Sequence, residues 1–177
     1  MTITATLIER SRGNPAASAA FVIFLGAAGT LCGAWFFQYV LKLPPCPICL
    51  DERIPYYIGI PLALLTAIAA QRRAPGRLVP VGLAVLLLAF LWNTGLSAYH
   101  AGVEWHWWPG PTDCSGPISD FTAKGPLINQ LQSVQLVRCD AAAWRLFGIS
   151  LAGYDALVSL ALAAIAALGL RFAKASA

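Results

Sequence analysis

Charge is excluded from four long stretches of this chain. No Asp, Glu, Lys or Arg falls between Arg12 and Lys42, between Arg53 and Arg72, between Arg77 and Glu104, or between Asp155 and Arg171. A helix that crosses a bilayer needs roughly 17–25 mostly apolar residues. The first and third stretches exceed that length and the second is just long enough. The fourth is short, so its helix is expected to begin upstream, near Ile149–Leu151, and to leave Asp155 at the level of the lipid headgroups. The pattern predicts an all-α membrane protein: a four-transmembrane-helix bundle forming a single domain over 1–177. The spans are expected at about 16–43, 50–70, 78–100 and 149–172.

The breaks between these stretches carry turn chemistry. Pro44-Pro45 should stop the first helix, because proline lacks a donor and disfavours helical backbone in the residue before it. Pro55 suits a first helical turn, whereas Pro61 should kink the second helix. Pro75-Gly76 marks a short hairpin. The remaining connection, about 101–145, is long. It opens with Glu104-Trp105-His106-Trp107-Trp108, whose tryptophans suit an interfacial belt. Further on, Leu127, Ile128, Leu131 and Val134 recur at helical spacing among Asn129, Gln130 and Gln132. That spacing predicts a short amphipathic helix on the membrane surface, or a loop segment packed on the bundle end.

Composition agrees. Hydrophobic residues make up 58% of the chain, charged residues only 11%, and the mean hydropathy is +0.67. A soluble domain carries about 25% charged residues. With four spans, the termini and the 71–77 hairpin share one side, which holds seven basic residues and one acid. The other side holds five basic residues and seven acids. Basic residues in short loops stay cytoplasmic, so both termini are expected in the cytoplasm. The net charge of +4 is accounted for by topology, and no nucleic-acid partner is expected. No cleaved signal peptide is expected, because the small-residue cluster Ala16–Ala20 precedes the first apolar run.

Four of the five cysteines, Cys46, Cys49, Cys114 and Cys139, fall on the non-cytoplasmic side. In an oxidising compartment they read as two disulfides, and four cysteines allow three pairings. Cys32 lies inside the first span and is expected to fill space in the bundle. Cys46-Pro47-Ile48-Cys49 brings two sulfurs together in one tight turn at a helix end, which suits a reversible disulfide more than a staple. A zinc site from all four cysteines does not fit the 24 residues separating the second pair, and no metal is expected. Cys114 lies in a turn-rich stretch that a partner protein could reach. Arg138, beside Cys139, would favour a thiolate. Two dithiols on one membrane face can exchange through a thiolate attacking a disulfide.

Arg53 follows Cys49 by one helical turn. It could stabilise a thiolate or a reduced quinone oxygen, or it could snorkel or pair with Asp51 or Glu52. Gln38 and His100 sit at the same level, and either could bond a quinone carbonyl. An interfacial anchor is the alternative for His100.

Together these residues resemble the disulfide-bond-formation protein B family of bacterial inner membranes. The resemblance runs through Trp35-Phe36-Phe37-Gln38, Cys46-x-x-Cys49-x-x-Glu52-Arg53, Tyr99-His100, Trp108-Pro109-Gly110-Pro111 before Cys114, and Arg138-Cys139-Asp140. It implies an inner-membrane, quinone-dependent oxidoreductase with its redox cysteines in the periplasm. It implies that a reduced thioredoxin-like periplasmic oxidase forms a mixed disulfide with Cys114, and that Cys139 is released toward Cys46. It also implies that Cys49 faces bound ubiquinone, or menaquinone, beside Arg53, with Gln38 and His100 nearby. Pro47 between the paired cysteines and Tyr39 after Gln38 depart from the family's usual residues, and Pro47 could tune the pair by removing a backbone donor.

Two rival classes are weaker. A vitamin-K-epoxide-reductase-like enzyme also joins four helices, a quinone and two cysteine pairs, but there the Cys-x-x-Cys pair follows the looped pair. A small transporter would be expected to carry a charge deep in a span, and the sequence places none there.

Overall fold

The computed structural model of the protein describes residues 14–73, 77–111 and 138–175. Cys114 and the expected amphipathic helix lie outside the described residues. The elements are α1 (Pro15–Trp35), continued by a π-helical segment (Phe36–Val40), α2 (Pro47–Asp51), α3 (Ile54–Gln71) and α4 (Leu78–Glu104). A small hairpin follows, β1 (Arg145–Leu146) and β2 (Ile149–Ser150), and then α5 (Leu151–Ala175).

Among the described residues, four stretches are long and apolar enough to cross a membrane: Pro15–Val40, Pro47–Gln71, Leu78–Glu104 and Leu151–Ala173. They are apolar on their outer faces as well as their inner ones. Leu65, Leu88 and Trp92 are among the most exposed large side chains, which is the distribution of a helix solvated by lipid. Extensive packing joins α4 to α5, α1 to α3, α1 to α5, and α3 to α4. The helices therefore form a closed ring in which chain neighbours are also spatial neighbours.

Lipid tails are as apolar as leucine, so close approach and packing hold such helices together. The core is Ile23, Tyr56, Leu83, Leu86 and Phe90, with small residues at the crossings. A side chain on Gly82 would collide with the Thr66 hydroxyl, and one on Gly169 would come to 2.7 Å from the Ala19 methyl. Helix starts are specified locally. Asn14 caps α1 by accepting from the Ala17 N–H at 3.3 Å, and Pro15 follows at the first position. The Asn14 amide also donates to the Ala70 carbonyl at 2.8 Å, tying the start of α1 to the end of α3.

Several expectations need correction. The first helix ends at Val40, and its last turn is widened: the Leu41 N–H bonds to the Phe36 carbonyl at 3.2 Å, five residues back. The second span begins earlier than expected, with Cys46 capping α2, and α4 runs on to Glu104. Cys32 is exposed on the outer face of α1, so it does not fill the bundle. The hairpin before α5 went unforeseen. Its turn is Phe147-Gly148, both at positive φ (50° and 82°), the geometry of a two-residue hairpin turn.

Candidate functional site

The paired cysteines sit where the sequence puts them in contact. Pro45 leads into an extended Cys46, and Pro47 opens α2 at a position whose N–H would be unsatisfied anyway. The donor lost to Pro47 is therefore not one the pair uses. The Cys46 sulfur caps the helix by accepting from the Cys49 N–H at 3.2 Å, and the two sulfurs are 2.7 Å apart. The hydrogen bond from the Cys49 thiol, reinforced by this N–H, holds the Cys46 thiol below its ordinary pKa against the opposing effect of burial. Cys46 is thus built to be the more acidic sulfur of the reduced pair.

His100 completes this end of the site. Its Nε2 lies 3.5 Å from the Cys46 sulfur and its Nδ1 2.9 Å from the Glu52 carboxylate. A carboxylate at Nδ1 selects the tautomer that leaves Nε2 facing the thiol. This is a base with its orienting acid, aimed at a cysteine. Glu52 is buried and its position in the Cys-x-x-Cys-x-x-Glu string puts it one turn beyond Ile48. Its place in the sequence offers Glu52 only as a partner for Arg53. Arg53 instead donates to the Gln38 side-chain carbonyl at 2.5 Å, with Gln38 carried by the π-helical turn.

These groups line a cavity of about 500 Å³ at the end of the bundle that carries the cysteine pair, whose walls include Leu31, Phe37, Leu43 and Val158. Cys46, Cys49, Gln38, Arg53 and His100 all reach it. Cys139 lies beside it: it is disulfide-bonded, only 1% exposed, and packed in one buried cluster with Cys46 and Ile48. The Arg138 guanidinium is paired with Asp140 through two hydrogen bonds, at 2.8 and 2.5 Å. That pairing holds the Asp140 carboxyl below its usual range.

A second polar cluster went unseen. Asp155 lies one turn into α5, but it faces the bundle interior and not the headgroups. Its carboxylate accepts from Tyr56 at 2.5 Å, Ser97 at 2.6 Å and Asn93 at 2.9 Å. Tyr56 and Asn93 also reach Ser159, each at 2.9 Å. Glu52, Glu104 and Asp155 thus put three acids inside this end of the bundle. The signal was available: Asn93, Ser97, His100 and Glu104 form one polar stripe at helical spacing along an otherwise apolar α4.

Fold and site together define a multi-pass membrane thiol oxidoreductase. The family model for disulfide bond formation protein DsbB matches residues 16–169, and the chain belongs to that family. A disulfide bond formation protein B of Verminephrobacter eiseniae is 30% identical over 159 residues, covering 86% of this chain and 87% of the relative. One from a Shewanella species (strain MR-4) is 30% identical over 137 residues, 76% of this chain and 75% of the relative. One from Saccharophagus degradans reaches 38% over 85 residues, about half of each chain (48% and 49%). No solved structure matches the chain. The family gives the protein a redox role in disulfide formation.

Proposed function

We propose that this protein reoxidises a thioredoxin-fold dithiol oxidase of the bacterial periplasm and passes the electrons to membrane quinone. The observation that carries the reading is the packing of disulfide-bonded Cys139 against Cys46, with Cys49 at the wall of an apolar cavity. In this scheme a thiolate of the partner attacks Cys114 of a Cys114–Cys139 disulfide, and Cys139 leaves as the thiolate. Cys139 then attacks Cys46 of an oxidised Cys46–Cys49 pair, and Cys49 leaves as the thiolate at the cavity wall. Each exchange makes one S–S bond and breaks one.

The cavity suits a quinone head: apolar walls for the ring and a few convergent polar groups for its oxygens. Arg53 and Gln38 would hold one oxygen, and Cys49 and His100 line the same space. A bound ubiquinone, or menaquinone, supplies an acceptor for two electrons and two protons. The partner's second thiol displaces Cys114, and the Cys114 thiolate attacks Cys139, reforming the outer disulfide and releasing Cys46, so that Cys46 and Cys49 are both reduced. For its part the chain moves protons. His100 then takes the proton of the Cys46 thiol at Nε2, and Glu52 stabilises the imidazolium that results. The predominance of basic residues at the opposite end of the bundle supports an inner-membrane orientation with both termini cytoplasmic.

The test is anaerobic oxidation of a reduced thioredoxin-fold oxidase by the purified protein with ubiquinone. Quinone absorbance and thiol loss are followed in wild type, Cys49→Ala and Cys114→Ala. Coupled loss of both signals in wild type alone is the expected result. Untouched thiols and unreduced quinone in wild type would overturn the reading.

A further inference from the structure

The donors around the reduced dithiol have a second property that electron relay does not require of them. Cys46 Sγ, Cys49 Sγ and a His100 ring nitrogen lie within 4.8 Å of one another. The Cys46 sulfur stands 3.5 Å from His100 Nε2. Tetrahedral zinc, with bonds of about 2.3 Å to sulfur and 2.0–2.1 Å to nitrogen, places those two ligand types about 3.5 Å apart. Two zinc-bound thiolates stand about 3.8 Å apart. The sulfurs are 2.7 Å apart here, so they would separate by about 1 Å, within the reach of a cysteine χ1 adjustment.

A fourth donor is present. Glu104 Oε1 lies 4.0 Å from His100 Nε2, and Glu104 is 94% buried, being 6% exposed. Among the described residues its Oε2 has no hydrogen-bond partner. A buried carboxylate oxygen left unsatisfied is costly, and a cation would satisfy it. On the far side of the ring, Glu52 holds His100 Nδ1 at 2.9 Å. That is the carboxylate–histidine arrangement that orients metal-bound imidazoles and raises their basicity. Two sulfurs and an imidazole select zinc or another soft divalent ion over magnesium or calcium.

We propose that the reduced protein binds one zinc ion through Cys46, Cys49 and His100, with Glu104 as fourth ligand, and that this ion locks the dithiol out of electron transfer. Binding exchanges two thiol protons for one Zn²⁺, and no electron moves. Oxidation of the pair by a quinone or a disulfide reagent, which takes up the two electrons, forms the S–S bond, removes both thiolate ligands and expels the ion, so the site exists only in the reduced state. The ligand set stands on geometry alone, whereas the inhibitory consequence rests on the relay proposed above.

The experiment uses full-length protein in detergent, reduced and anaerobic, without quinone or partner. It carries Cys114→Ser and Cys139→Ser so that one dithiol remains on that face. Cobalt and then zinc are titrated. The expected result is saturation at about one ion per chain, with sulfur-to-cobalt charge-transfer absorption and tetrahedral visible bands. Zinc should displace the cobalt, and oxidation of the pair should abolish binding. His100→Ala should weaken affinity at least about tenfold, and Glu52→Gln about 10–100-fold. Glu104→Gln, nearly isosteric, tests the site should His100→Ala fail to fold, and it should weaken affinity and alter the visible bands. Absence of saturable binding overturns the proposal, as does binding that survives oxidation of the pair or is unchanged in all three variants. Quinone turnover is not read, so failure of the metal site is distinct from failure of the oxidase reading.

Discussion

Glu52 and His100 are 48 positions apart in sequence and 2.9 Å apart in space, carboxylate to Nδ1. The contact joins the turn after the cysteine pair to α4, and it presents Nε2 to the Cys46 sulfur at 3.5 Å. His100→Ala is expected to slow exchange at the Cys46–Cys49 pair by about 10²-fold, the lower end for loss of a general base. Glu52→Gln keeps the shape and should cost less, while shifting the pH profile of the exchange. Stopped-flow measurement of intramolecular disulfide exchange across pH checks both.

Cys46 titrates below an ordinary thiol because the Cys49 thiol and N–H bond its sulfur. The folded-state value is depressed, so this interaction stabilises the reduced protein above the unfolded thiol pKa. That contribution is lost as pH falls through the lower folded value. Alkylation of reduced protein should therefore modify Cys46 with a midpoint below the ordinary thiol range. Cys49→Ala removes the sulfur donor and should raise the midpoint. An unchanged midpoint would remove Cys49 as the cause.

Arg53 is held by Gln38 at the cavity wall. Hydrogen bonds involving a charged group contribute about 1.5–3 kcal/mol, so under the proposed relay Arg53→Ala should raise the quinone KM roughly 10- to 100-fold while partner oxidation of the outer pair is spared. Arg53→Lys keeps the charge without the planar fork and should recover only part of the loss. Gln38→Ala frees the guanidinium and should have a smaller effect in the same direction. Steady-state kinetics against quinone concentration separates the three.

Asp155 accepts from Tyr56, Ser97 and Asn93 inside the bundle. Asp155→Leu leaves the buried Ser97 hydroxyl without its acceptor, at about 1–3 kcal/mol, and leaves Tyr56 and Asn93 with Ser159 alone. Thermal unfolding in detergent should show a large drop in Tm. Tyr56→Phe removes a single donor and should cost about 1 kcal/mol. If Asp155→Leu leaves Tm unchanged, the cluster does not hold the bundle together.

The four spans were legible because charge is excluded from them and proline and glycine mark their ends. The cysteine pair was legible because two sulfurs three positions apart must meet in any helical turn. Glu52–His100 was not, since nothing in a single chain states how two helices are rotated toward each other. The stripe Asn93, Ser97, His100, Glu104 was visible in outline, but its meaning depended on Asp155 arriving from α5. Asp155 was placed among headgroups because its depth follows from sequence while its facing direction does not. Cys32 failed for the same reason: a small apolar residue suits lipid and core alike. Cys114 and the stretch at 127–134 lie outside the described residues.

The π-helical turn at Phe36–Val40 makes the length of the first span matter in a way that its hydrophobicity does not. Each residue of an α-helix advances the azimuth by about 100°. Deleting one residue within this turn would restore ordinary winding and leave the span able to cross the bilayer. It would also turn Gln38 away from Arg53 by an angle of that order. In this stretch the chain tolerates a change of letter better than a change of count.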